Sequence, residues 1–235
     1  MSKDIEEFWP SISDLMAGLM MIFMLIAISF MVKVEKNKDK IENIAKQYRE
    51  TKIEIYNDLT KEFSKDLKKW NAYIDADTLS VKFNEPDIFF NQGSSTLKKP
   101  FKDILDDFFP RYIKIISSEK YKDDIEEVRI EGHTSSEWMR GMDEEDSYFK
   151  NMKLSQDRTR KTLEYVMSIP KMKKYSKFMI SKVTANGLSS SKKVYTKSGQ
   201  ENRRKSRRVE FKIRTSAETK INEILKEKEK QNENN

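Results

Sequence analysis

The sequence predicts one membrane-spanning helix, a helical linker, and then an α/β (α+β) sandwich with helices on one face of a mixed four-stranded sheet. Three observations carry that reading. From Leu15 to Val32 run 18 residues without a charge, only Ser29 being clearly polar. At 1.5 Å per residue such a helix covers about 27 Å, close to the hydrocarbon thickness of a bilayer. From Lys33 to Trp70 there is neither Pro nor Gly, and good helix formers dominate. From Thr78 onward strand-like and helix-like segments alternate, the pattern that layers helices against a sheet.

The apolar run has two competitors to a span over residues 12–32. A cleaved signal peptide needs a basic start and a small-residue cleavage site, but the first eight residues, MSKDIEEF, are more acidic than basic. A buried helix of a soluble core is usually shorter and carries a polar stripe. The span is therefore favoured, preceded by a short N-terminus, 1–11. Asp14, at its N-terminal end, has two readings. Trp9-Pro10-Ser11 reads as a helix start with Ser11 or Ser13 as cap, and an acid in the first turn meets the positive end of the helix dipole. Alternatively, an ionisable group inside a span is costly and marks an ion path or a partner-facing position. Helical spacing puts Asp14, Ala17, Gly18, Met21 and Leu25 on one side, where small residues permit close helix approach. Spacing alone leaves the two readings level.

Composition narrows the rest. In 235 residues, one span and a spacer leave room for one soluble domain. The net charge is +7, but 39 acids are interspersed among 46 bases, which suits a solvated surface better than a dedicated nucleic-acid stripe. The lack of cysteine excludes disulfides and thiolate metal sites, and a single histidine excludes a multi-histidine metal centre.

The linker, 33–76, places Ile41, Ile44, Tyr48, Ile55, Leu59, Phe63, Leu67 and Trp70 at spacings of three, four and seven, an amphipathic helix. Lys52 and Asp58 interrupt a strict heptad, which argues against a long coiled coil. Within the domain, 77–215, TLSVKF alternates as a strand and FFNQGSS supplies a loop. LKKPFKDILDDFFPRYIKII reads as a helix with Leu97, Phe101, Ile104, Leu105 and Phe108 on its apolar side, bent or ended by Pro110. EEVRIEGHT is a second strand, 154–169 a second helix, and KFMISKVTANG and RRVEFKIR two further strands. The tail, 216–235, is polar and reads as a frayed helix or disorder.

Four strings occur in order along this domain: FNQGSSTLKKPFKDILDDF, RIEGHTSSEW, NMKLSQDRTRKTL and ENRRKSRRVEFKI. They resemble the peptidoglycan-binding C-terminal domain of the OmpA/MotB family. Joined to a span with a single acid, the chain is similar to MotB-type stator subunits. WPSISDLMAGLMMIF and GHTSSEW are most similar to the B-subunit family of Zorya anti-phage defence systems. The resemblance implies an OmpA-like fold and a non-enzymatic, ion-conducting stator subunit, with flagellar stator and passive OmpA-like wall anchor as alternatives. It implies no cofactor; Asp14 would carry protons, or in some members sodium ions. The implied partners are a polytopic A subunit of MotA or ZorA type, five copies around a B-subunit homodimer, and peptidoglycan, with no direct nucleic-acid contact. The implied location is the bacterial inner membrane, single-pass, with the N-terminus cytoplasmic and the domain periplasmic. Lys33, Lys36, Lys38 and Lys40 follow the span while only Lys3 precedes it, so the positive-inside rule alone would invert this topology.

The resemblance also implies a ligand pocket between the GHT loop and the second helix, formed by Thr134, Ser135, Asn151, Leu154 and Arg158, with Arg203 and Arg207 from the basic end. A guanidinium at Arg158 can hold a stem-peptide carboxylate bidentately. Ser135 stands where the family carries Asp. The ammonium of the stem peptide then meets Ser135 itself, an acid of the 135–151 loop (Asp143, Glu144, Glu145, Asp146), or a different arrangement. His133 has no nucleophile or metal ligands beside it in sequence and reads as structural. The ENRRKSRRVEFKIR run supports a nucleic-acid binder with steep salt dependence, but the family has the same arginine-rich end, which favours a strand whose arginines brace the pocket.

Overall fold

The computed structural model describes residues 3–84, 86–139, 141–216 and 219. Helix α1 runs from Lys3 to Phe63. It starts before Pro10, so the Trp9-Pro10-Ser11 segment lies inside the helix and does not open it. Every large apolar side chain from Leu15 to Val32 is exposed, as it is for an element whose solvent is lipid. This is the one helix among the described residues long and apolar enough to cross a membrane.

A separate compact unit begins at Tyr48. Its elements are the last turns of α1, then β1 (Ala72–Asp75), β2 (Ser80–Asn84), α2 (Pro86–Phe89), α3 (Lys99–Ile116), β3 (Ile125–His133) and α4 (Glu144–Ser168). A 3-10 turn (Pro170–Tyr175), α5 (Ser176–Lys182), β4 (Val183–Gly187), α6 (Arg203–Ser206) and β5 (Arg208–Thr215) complete it. The sheet has five strands in the order β1-β2-β5-β3-β4, where four were expected. All pairs are antiparallel except β3–β4, so the sheet is mixed.

Alternation along the strands sorts side chains to two faces. Val81 and Phe83 of β2, Val128 and Ile130 of β3, and Val209, Phe211 and Ile213 of β5 form the apolar face and are buried. Against it α3 presents Phe101, Leu105, Phe108, Phe109, Tyr112, Ile113 and Ile116. Phe108 is central: the ring centroids of Phe63, Phe83, Tyr112 and Phe211 each lie 5.1 Å from its own. Ile55, Leu59 and Phe63 of α1 are fully buried in the same core.

Four local expectations are corrected. The stretch expected as linker to residue 76 contributes Ile55, Leu59, Phe63 and strand β1 to the domain, so the domain starts near Tyr48. Pro110 does not end α3, because Tyr112, Ile113 and Ile116 beyond the missing N–H bury against the sheet. Of KFMISKVTANG only Val183–Gly187 is strand. Its first part is α5, where Phe178 and Met179, three and four residues after Tyr175 at the helix start, pack with it on the core. Finally, α4 begins at Glu144, ten residues earlier than expected: Asp143 accepts a hydrogen bond from the Glu145 N–H (3.0 Å), so the acidic run is a helix cap and first turn. The expected tail lies outside the described residues, apart from Ser216 and Thr219.

Candidate functional site

The two sets of predicted residues fall in separate units. Asp14 is exposed on α1 among exposed apolar side chains, and the next acid along the chain is Glu35. On the same side, a methyl group added at Gly18 would meet nothing within 4 Å, so the helix surface beside the acid is open. An acid on an open, small-residue stripe of an apolar helix is placed for another helix to cover it.

In the domain the site is built where the ends of β3 and β4 meet α4. Two glycines allow that approach. A Cβ at Gly187 would lie 2.2 Å from the Gln156 backbone nitrogen, and one at Gly132 would lie 2.7 Å from the Thr159 methyl. With α4 this close, Asn151 Nδ2 donates to the Ser135 carbonyl (3.2 Å), joining two predicted residues directly. Thr134 is buried, and its N–H donates to the Ser189 carbonyl (2.9 Å). The Ser189 N–H is in turn received by Ser155 Oγ of α4 (3.1 Å). Leu154 is half-buried on the same helix.

Arg158 is buried, and its guanidinium is pinned: Nε donates to the Ser94 carbonyl (2.9 Å), Nη2 to the Asn91 carbonyl (3.2 Å), and it stacks 4.8 Å from the Phe90 ring centroid. The loop after α2 therefore fixes this side chain before any ligand arrives.

The basic end forms a second part of the site. Arg203 is exposed, pairs with Glu137, and lines a cavity of about 720 Å³ together with Ser136, Tyr195 and Glu201. Arg207 is half-buried on the step from α6 into β5. The acid brought to the HTSS loop is Glu201, which the acidic-loop reading of Asp143–Asp146 did not include. Its carboxylate accepts from the Ser136 N–H (3.2 Å) and from Ser136 Oγ (2.5 Å). No sequence pattern marks Glu201, because the contact exists only once the chain has returned from β4 to β5.

Beneath the loop, on the sheet face opposite the helices, a buried charge ladder runs across β2, β5 and β3. Glu131 faces Glu210, His133 faces Arg208, and Lys82 faces Glu210. His133 Nε2 lies 3.6 Å from both Glu131 Oε2 and Glu210 Oε1. Burial holds the imidazole below its ordinary value, against the pull of the two carboxylates. Burial also works against charge on Glu131, but His133, Lys212 and Arg129 outweigh it and hold that carboxyl below its usual range. The three side chains could present donor atoms to a metal ion. However, Arg208 Nε lies 2.5 Å from Glu210 Oε1 and Lys82 Nζ 3.7 Å from it, so this carboxylate is already neutralised and the donor set fits a cation poorly. His133 is a structural member of the ladder.

Comparison with known proteins fits this architecture. Residues 89–207 match the OmpA family. A MotB-like protein from Desulfovibrio vulgaris, solved by crystallography, shares the fold with a TM-score of 0.50 at 18% identity, over 72% of this chain and 98% of its own. Fold and site thus define an OmpA-type domain carried on a helix able to anchor it in a membrane. Zorya protein ZorB from Escherichia coli is 48% identical over 222 residues, 94% of each chain. The chain belongs to the OmpA family, in the branch that contains ZorB.

Proposed function

We propose that this chain is the ion-conducting B subunit of a MotA/MotB-like stator in the bacterial inner membrane, tied to peptidoglycan and serving in Zorya-type anti-phage defence. The observation that carries the reading is that likeness to ZorB runs through 94% of both chains, span and domain together, with Asp14 the one acid of the exposed apolar stretch 13–32 of α1. Asp14 binds and releases a proton, with sodium as the alternative ion. Neutralising the carboxylate removes the cost of holding a charge in a low-dielectric helix interface, so the two states favour different packing of the surrounding A-subunit helices. The polytopic A subunit comes from another chain, and two copies of this one stand at its centre. The N-terminus lies in the cytoplasm and the domain in the periplasm, where the wall is; co-assembly with the A subunit overrides the flanking lysines.

In the domain, pinned Arg158 receives a stem-peptide carboxylate, with Asn151, Thr134 and Ser135 shaping the pocket. Glu201, held on Ser136, supplies the carboxylate that the HTSS string lacks. Arg203 and Arg207 line its basic end.

The test co-expresses the chain with its A subunit. Asp14→Asn keeps the size and polarity of the side chain, so the complex should still purify intact while phage protection and proton uptake into vesicles are lost. Full protection by Asp14→Asn would leave a passive wall anchor as the reading. Independently, pull-down of residues 48–218 with purified sacculi should fail for Arg158→Ala, weaken for Glu201→Gln, and change little for Ser135→Ala.

A further inference from the structure

From Ile169 to Val183 the chain carries five lysines, Lys171, Lys173, Lys174, Lys177 and Lys182, and no acid. The structure gives this segment a defined shape. Met172 of the 3-10 turn and Met179 of α5 are buried and hold it against the core. Lys171, Lys173, Lys174 and Lys177 are left exposed, and Ile180 points outward with 74% of its surface exposed. Several lysines elsewhere in the domain do find acids: Lys99 lies 3.1 Å from Asp103, Lys120 3.2 Å from Glu54, Lys122 2.6 Å from Glu119 and Lys153 3.0 Å from Asp157. Among the described residues, none of the five lysines of this segment forms an ion pair. Beside it lies a cavity of about 520 Å³, floored by Pro110, Pro170 and Tyr175. The acids on its rim are already engaged, Asp106 by the Tyr165 hydroxyl and Asp107 by Arg111.

We propose that this segment is a docking surface for a bilayer bearing anionic phospholipid, giving the domain a membrane contact of its own. Three features select that partner. Four exposed ammonium groups on a segment that carries no acid of its own attract a dense field of negative charge. The exposed aliphatic Ile180 among lysines suits the headgroup–acyl boundary, as on an interfacial amphipathic helix. A nucleic-acid surface would instead be expected to offer arginine forks and aromatic platforms for bases. The partner is also at hand, because α1 carries a bilayer-length apolar run in the same chain and raises the local concentration of lipid surface at the domain.

The experiment uses residues 48–218, which enclose their own core, in flotation assays with vesicles. Phosphatidylcholine vesicles containing phosphatidylglycerol should carry the fragment, and pure phosphatidylcholine vesicles should not. Replacing Lys171, Lys173, Lys174 and Lys177 together by Gln should weaken binding about six-hundredfold, since each lysine near an anionic surface contributes roughly fivefold. Ile180→Ser should weaken it severalfold, and 0.5 M salt should release the fragment. The quadruple variant should retain sacculus binding and its thermal transition, which separates this surface from the wall pocket. Absence of binding to the anionic vesicles, or equal binding by the quadruple variant, would overturn the proposal. Tighter lysine-dependent binding to double-stranded DNA than to vesicles would overturn it in favour of nucleic acid.

Discussion

The exposed stretch of α1 and the core of the domain are built from the same kinds of side chain, yet they use them in opposite ways. Phe23, Leu25 and Phe30 stand outward, each about 60% exposed, while Phe83, Phe108 and Phe211 have no exposed surface. Even glycine follows the division. Gly18 has open space where a side chain would be, and Gly187 has the backbone of α4. The apolar residues of the first region wait for lipid or another helix; those of the second already have their partners. A substitution therefore reports on intramolecular packing only in the domain.

That contrast can be broken by paired substitutions. The largest effect is expected at Phe108. Phe108→Ala should cost about 3–5 kcal/mol in denaturant unfolding of residues 48–218, because it opens a cavity among four rings. Phe23→Ala in the full chain should leave the unfolding midpoint of the domain unmoved, and a shift would mean that the helix surface is packed against the domain after all. Next is Gly187→Ala, expected to cost about 1–3 kcal/mol by overpacking against Gln156, whereas Gly18→Ala should not change domain stability. Smaller still is Arg111→Met, which removes pairs to Glu62 (2.7 Å), Asp66 (3.0 Å) and Asp107 (3.1 Å) but at a partly exposed position; about 1 kcal/mol is expected, shrinking with salt.

The smallest effect concerns pH and appears only below about pH 6.5. Since His133 in the folded domain titrates below its ordinary 6.5, the unfolded chain takes up this proton first as pH falls. The histidine's contribution to stability is therefore complete above about pH 6.5 and is lost as pH drops toward the folded value. Stability measured from pH 7 to 5 should fall more steeply for the wild type than for His133→Gln. Parallel profiles would mean that the imidazole protonates freely in the ladder.

Much of this was legible in the sequence where one residue type sets the structure by itself. Eighteen uncharged residues define the span, and the alternation in TLSVKF and RRVEFKIR defines β2 and β5. Legibility failed where a longer-range partner decides. AYID is too short to show alternation and becomes β1 only by pairing with β2. Asp143–Asp146 looks like loop chemistry until the first turn of α4 is seen to need a cap. KFMISK has the apolar content of a strand, and only the packing of Phe178 and Met179 at helical spacing from Tyr175 before it makes it α5. In the site, Asn151 and Arg158 were readable only because the string NMKLSQDRTRKTL resembles its family counterpart. The carbonyls of Asn91 and Ser94 that pin Arg158, and Glu201 on Ser136, come from segments more than 60 residues away and depend on the finished fold.

The strand order has a consequence for how the chain is made. The last strand, β5, lies in the middle of the sheet, between β2 and β3. Until residues 208–215 leave the ribosome, the β1–β2 ribbon and the β3–β4 pair are two half-sheets, each with an open edge and with α3 covering neither fully. Folding must wait for this final segment to slot between them. A nascent chain stopped just short of Arg208 would have every other strand of the sheet and still no domain.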